Sequence, residues 1–272
     1  MTAATGERPA APARAGSDAG FFAALAILGG TYFALIVLLL IADVLYTTPG
    51  HFVAALAKED IRYSIKLTLI SCTLTALLSL CVAVPLGYAL SRLNFFGKSL
   101  IDAVLDIPII LPPLVVGLSL LILFQFRPFS WIGRWVVYEV PGVVVAQFMV
   151  AAAFAVRTMR LTFDQLDPRR EQVAWTLGCT RAQAFWMVVW PETRNGRFTA
   201  LALAWARALG EFGPLLVFAG ATRRKTEVLS TTVFLELSVG DLEAAVAVSL
   251  LMVIGAVAAL LAARRLGLPH PV

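Results

Sequence analysis

Charged side chains are scarce in this chain. Asp, Glu, Lys and Arg together make up 14% of 272 residues, against about a quarter in a soluble domain. Hydrophobic residues reach 60%, so no polar coat can cover that apolar surface and its solvent must be lipid. Histidine and cysteine are rarer still, at two and three residues. His51 and His270 are isolated, and Cys72 and Cys81 fall on opposite faces of a helix. Neither a disulfide framework nor a metal cage is expected. The motifs of hydrolysis are missing too, with no H-E-x-x-H or G-x-S-x-G. FGKS at 96–99 imitates the end of a phosphate-binding loop, but that motif needs a glycine where Arg92 stands. The chain lacks the parts to hydrolyse ATP, and no paired nucleophile and base suggests an enzyme of another kind.

What the chain does have is long uncharged runs. They cover 21–42, 67–91, 107–126, 140–156 and 244–263, lengths that cross about 30 Å of hydrocarbon at 1.5 Å per residue. A sixth, 198–219, is interrupted by Arg207 and Glu211. The first run is too long for the core of a secretory signal and no small-residue cleavage site follows it, so it reads as a retained anchor. Residues 1–20 lack periodicity and read as a disordered tail. The expected fold is an all-α polytopic membrane protein of about six transmembrane helices. Its membrane domain is 21–263, with short tails at 1–20 and 264–272. Six spans put both termini on one side. The connections on that side carry thirteen Lys and Arg, seven of them in the loop at 157–197, against eight on the other. This bias places the termini and that loop in the cytoplasm.

The loop contains a polar, arginine-rich island at 167–191. Asp167 and Pro168 start a helix, and Gly178 can end it in a left-handed conformation. Thr180 then opens a second helix with Gln183 as its capping-box partner. That helix is expected to end before Pro191, which cannot continue it. The product is a knuckle of two short helices. Its sequence, EQVAWTLG followed by VVWP, resembles the cytoplasmic loop of permease subunits of ABC importers. In that family Glu-Ala-Ala, three residues and Gly precede a hydrophobic stretch ending in Pro. Ala174, Gly178, Val188 and Pro191 fall on the spacing. Gln172 stands at the expected Glu with Glu171 one position earlier, Val173 replaces the first Ala, and Trp190 replaces a Leu.

Two spans are irregular. Pro108, Pro112 and Pro113 crowd the third, where each removes a backbone donor. That segment is expected to face protein or a water-lined path, or to be a kink packed against neighbours. Its LPPLVVG is similar to the third span of oxyanion permeases. In the fifth, Ala200, Ala204 and Ala208 recur at helical spacing and favour close helix approach. Arg207 and Glu211 share a face, and Gly210, Gly213 and Pro214 loosen the helix there. Charges in midspan pair and face the bundle interior or a cavity. The pair either fixes helix register or lines the translocation pathway or its gate. ARALGEFG resembles the corresponding string of molybdate, tungstate and sulfate permeases, although the residues after GEFG and FAG depart from their pattern. Arg223, Arg224 and Lys225 form either a solvated turn or a landing site for an acidic lobe of a binding protein.

The resemblance implies a type I ABC importer permease fold in the cytoplasmic (inner) membrane of a bacterium or archaeon. Its solute is expected to be molybdate, tungstate or sulfate, with iron(III) or another small solute as the alternative. An ion-coupled secondary transporter is a further reading, one that would want inverted repeats. The implied partners are a second copy of the permease, two ATP-binding subunits that hold ATP and Mg, and an external binding protein. The implied coupling residues are Glu171, Gln172, Ala174, Gly178, Val188 and Pro191. The pathway candidates are Arg207, Glu211, Gly213, Pro112 and Pro113.

Overall fold

The computed structural model describes residues 19–267, so the tail residues 1–18 and 268–272 lie outside the described residues. No strand forms among the described residues. α1 (Ala19–Tyr46) is a unit by itself. Its 28 residues, with Asp43 the one charge among them, make a rod about 42 Å long, enough to cross a bilayer with some tilt.

The second unit begins at Thr47. A short α2 (Pro49–Ala57) leads into α3 (Glu59–Arg92). Then come α4 (Lys98–Ile110), α5 (Pro113–Leu123), α6 (Phe129–Val136) and α7 (Val140–Gln165). The polar island supplies α8 (Arg169–Thr176), α9 (Arg181–Ala184) and α10 (Trp190–Glu192), the last two joined by a π-helical turn, Phe185–Val189. α11 (Arg194–Leu209), a second π-helical turn (Leu215–Ala219), α12 (Leu229–Val239) and α13 (Leu242–Gly267) complete the order.

α1, α3, α7 and α13 are each long and apolar enough to cross a membrane. The other two expected spans are not single rods. The stretch 107–126 divides between α4 and α5, which meet at 114°. Leu111 precedes a proline and is driven to extended backbone (φ −65°, ψ 141°). Pro112 and Pro113 then offer no N–H to continue the ladder, whereas Pro108 is absorbed inside α4. The stretch 198–219 breaks between Leu209 and Leu215. α7 outruns its uncharged core because Arg157 and Arg160 find Asp106 and Asp102 on α4. α13 continues past 263 to Gly267, so the start of the expected C-terminal tail is helical.

α3 lies along α7, α11 packs against both, and α13 closes on α11 and α12. Lipid is as apolar as leucine, so membrane helices associate through close packing of small residues. α11 accordingly presents Ala200, Ala204 and Ala208, all buried, to a core that includes Cys72, Ala76 and Ala83 of α3 and Ala151 and Ala155 of α7. Leu69, Ile70, Leu77 and Leu78 of α3 remain exposed, as side chains turned toward lipid would be.

Ala204→Leu forces a larger side chain into this seam, where overpacking costs about 1–3 kcal/mol. The variant is expected to melt several degrees below the parent in detergent, while Leu203→Ala, on the exposed side of α11, changes little.

Candidate functional site

The knuckle is built from local signals and then pinned to α3. Asp167 Oδ1 accepts the Arg169 N–H at 3.0 Å. α8 ends in a full left-handed cap: Gly178 has φ +89°, its N–H reaches Trp175 O, and the Cys179 N–H reaches Ala174 O. Thr180 and Gln183 exchange both bonds of the capping box, at 2.8 and 3.3 Å. Pro191 does not end the second helix, as its sequence suggests. The π-helical turn shifts the ladder to a wider spacing, with the Trp190 N–H bonded to Phe185 O. The proline ring enters there and the helix runs on to Glu192.

Glu171 carries the attachment. It is buried, accepting from Tyr88 Oη and Arg92 Nε at 2.8 Å each. Arg92 Nη2 also donates to Leu166 O at 2.9 Å. The expected coupling residues therefore divide. Glu171 and Ala174 face inward, Val188 is half-buried, and Gln172, Gly178 and Pro191 face out. Val173, Leu177, Trp186 and Met187 are also exposed on the knuckle, an apolar surface beyond what a solvated turn needs.

The pathway candidates meet at the two helix breaks. A Cβ on Gly213 would stand 2.8 Å from Pro113 Cβ, and one on Gly117 would stand 2.8 Å from Pro214 Cα. Only glycine permits this approach, so the break after α11 is seated against the start of α5. Pro112 and Pro113 are exposed beside it. Arg207 and Glu211 form the expected ion pair. Glu211 is buried with Oε1 free of any partner, while Arg207 stays 30% exposed and lies over the Phe154 ring.

Gln147 of α7 belongs to this region and escaped the sequence reading. It is buried, donates from Nε2 to Ala208 O at 3.2 Å, and meets Thr75 Oγ1 at 3.2 Å. Thr75 is one of five buried hydroxyls on α3, with Ser64, Thr68, Ser71 and Ser79. Their spacing of three and four was the available signal. Ser230 Oγ donates to Glu211 O at 2.6 Å.

At the end of the unit opposite the knuckle, the three consecutive basic residues are already engaged. Arg223 pairs with Asp60 and Glu236, Arg224 with Glu59 and Asp60, and Lys225 with Glu139. They clamp their loop to the start of α3 rather than forming a free basic turn. Lys58 joins Glu236 at 3.0 Å and Asp241 at 2.7 Å. Its hydrogen bond holds the Asp241 carboxyl below the usual carboxylate range. Glu227 is the exception. It is fully buried with neither carboxylate oxygen hydrogen-bonded, and burial pushes its carboxyl up. The Thr232 hydroxyl nearby is spent on Val228 O. No cluster able to hold a metal occurs among the described residues.

Comparison with known proteins accords with this geometry. Residues 83–267 match the family described as binding-protein-dependent transport system inner membrane component. The chain is 36% identical over 189 residues to the sulfate transport system permease protein CysT of Escherichia coli, covering 68% of each. It is 32% identical over 177 residues to the molybdenum transport system permease protein ModB of Haemophilus influenzae, covering 63% of this chain and 77% of that one. Among solved structures, a bacterial ABC transporter involved in the import of the acidic polysaccharide alginate superposes with a TM-score of 0.73. The match covers 92% of this chain and 95% of that one at 19% identity, a likeness of fold alone.

Two outcomes are expected. Glu171→Ala strands the Arg92 guanidinium, and breaking one side of a buried pair costs about 3–5 kcal/mol. Limited proteolysis within 167–191 should accelerate accordingly. For Glu227 the folded-state pKa lies above the unfolded one, so the unfolded chain releases its proton first and stability falls as pH rises through that interval. Glu227→Gln should melt above the parent at roughly pH 8, with the gap closing toward about pH 4.

Proposed function

This chain belongs to the family of binding-protein-dependent transport system inner membrane components, and we propose that it forms the translocation pathway for a tetrahedral oxyanion. It is an ABC importer permease subunit of the sulfate and molybdate type, spanning the inner membrane. Sulfate, molybdate or tungstate is the solute. The observation that carries this reading is the Arg207–Glu211 pair at a broken helix, with one buried carboxylate oxygen left free.

A charge within a span costs at least about 2.5–3.5 kcal/mol on insertion scales, so the pair calls for a return. Arg207 supplies attraction for a dianion and can present two parallel N–H donors to its oxygens. Glu211 offsets that charge, which keeps the anion from being held too tightly to leave. The break at 210–214 and its seat on Pro113 give the path a joint where neighbouring rods can shift between two packed arrangements.

The energy comes from elsewhere. Two ATP-binding subunits, which hold the ATP and Mg, dock under the exposed Val173, Leu177 and Met187 of the knuckle. Its full caps and the Glu171 anchor make it stiff enough to transmit their closure to α3. A second copy of this chain completes the pathway, and an external binding protein delivers the anion. In this arrangement both termini and the knuckle face the cytoplasm, as the excess of Lys and Arg on that side favours.

Uptake of labelled sulfate and molybdate into cells expressing the complete transporter tests the pathway. Arg207→Ala and Glu211→Ala should each lower uptake at least tenfold, and full transport by both variants removes the idea. The knuckle is tested by purification. A Cβ at Gly178 meets nothing within the chain, but its φ of +89° disfavours any other residue. Gly178→Leu should therefore lose its co-purifying ATPase while the permease itself stays in the membrane.

A further inference from the structure

We propose that the groove between α3 and the knuckle binds one anionic phospholipid, with an acyl chain along α3 and the headgroup phosphate at Arg181. The groove holds about 870 Å³ and runs from Leu80 and Cys81 to Arg92 along α3, with α8, α9 and the first π-helical turn as its other wall. Twelve residues of helix make about 18 Å, close to half of a ~30 Å hydrocarbon core. Leu80 stands near the middle of the uncharged run 67–91 and Arg92 just past its end, so on that span the groove reaches from mid-bilayer to the boundary.

Three features select the occupant. The deep end is apolar, walled by Leu80, Val84 and Pro85, and the neighbouring face of α3 leaves Leu77, Leu78 and Val82 exposed. A chain entering from lipid therefore meets no polar barrier. The shallow end is lined by Trp175, Trp186 and Trp190, the residue type that settles at the membrane–water boundary.

Charge decides the headgroup. The lining carries two arginines, Arg92 and Arg181, against one carboxylate, Glu171. Arg92 is committed to Glu171. Arg181 lies over the Trp175 ring at 5.5 Å and has no carboxylate partner among the described residues. A guanidinium held over an indole, with no carboxylate partner, beside an apolar slot suits a phosphate ester, which can accept two of its N–H groups. A molecule apolar along one leaflet and anionic at the boundary is a phospholipid such as phosphatidylglycerol. It would lie along α3 beside the Glu171 anchor and stiffen the joint. The assignment rests on the chain spanning a membrane and not on which solute it carries.

The full-length protein is reconstituted in phosphatidylcholine nanodiscs with increasing phosphatidylglycerol, then released into mild detergent, and retained lipid is counted by native mass spectrometry. One phosphatidylglycerol per chain is expected, at least fivefold preferred over phosphatidylcholine. Arg181→Gln should erase the preference and still retain lipid, whereas Cys81→Trp, which fills the slot, should lose both lipids. Both variants must melt within a few degrees of the parent. No retained lipid, an unchanged preference in Arg181→Gln, or displacement by inorganic phosphate overturns the proposal. Loss of the lipid on assembly with the ATPase subunits also overturns it and assigns the groove to protein.

Discussion

A backbone carbonyl or N–H left facing hydrocarbon costs several kcal/mol, and the interior of this protein is arranged around that cost. Its helices break at Leu111–Pro113 and again between Leu209 and Leu215. Polar side chains from other helices come to the second break. Gln147 reaches Ala208 O, Ser230 reaches Glu211 O, and Thr68 accepts the Leu229 N–H where α12 begins. Thr68 of α3, Gln147 of α7 and Ser230 of α12 thus satisfy backbone groups of other segments. Where the helices yield, polar side chains gather, so backbone groups that leave the helical ladder still find partners away from water.

Charge is sorted by depth. The knuckle end holds Arg92–Glu171, Arg160–Asp102 and Arg157–Asp106. The opposite end holds the network of Lys58, Arg223, Arg224 and Lys225. Between them Arg207 and Glu211 stand almost alone. Exposed pairs in such networks contribute about 0–1 kcal/mol each, so their value lies in fixing where loops attach. The more buried Glu171 and Glu236 are different, because each accepts from two donors and ties distant segments together.

Much of this was legible in the chain. The knuckle announces itself through Asp167, Gly178, Thr180 and Gln183, because caps are local and need no tertiary partner. The uncharged runs announced α1, α3, α7 and α13, and the small residues of α11 announced its buried face. What escaped depended on neighbours. Pro191 reads as a stop under the spacing of an α-helix, and only the wider turn before it lets the helix continue. Pro112 and Pro113 signalled a kink, but not its 114° bend or the pairing of α4 with Arg157 and Arg160 of α7. Ser64 to Ser79 reads as an ordinary helix until its hydroxyls are found facing inward. Arg223 to Lys225 looked available because most of their partners are far away in sequence, at positions 59, 60 and 139, and the other, at 236, lies beyond a loop and into α12.

The tie from Glu171 to Tyr88 and Arg92 grips α3 at its last turn. α3 has 34 residues and is therefore about 51 Å from tip to tip, and its other tip carries Asp60, the residue to which Arg223 and Arg224 are clamped. Geometry then amplifies: a tilt of about 5° at the gripped end sweeps the far tip through about 4 Å. A nudge too small to disturb the packing of alanines along the shaft can thus reposition a surface loop on the opposite face of the membrane.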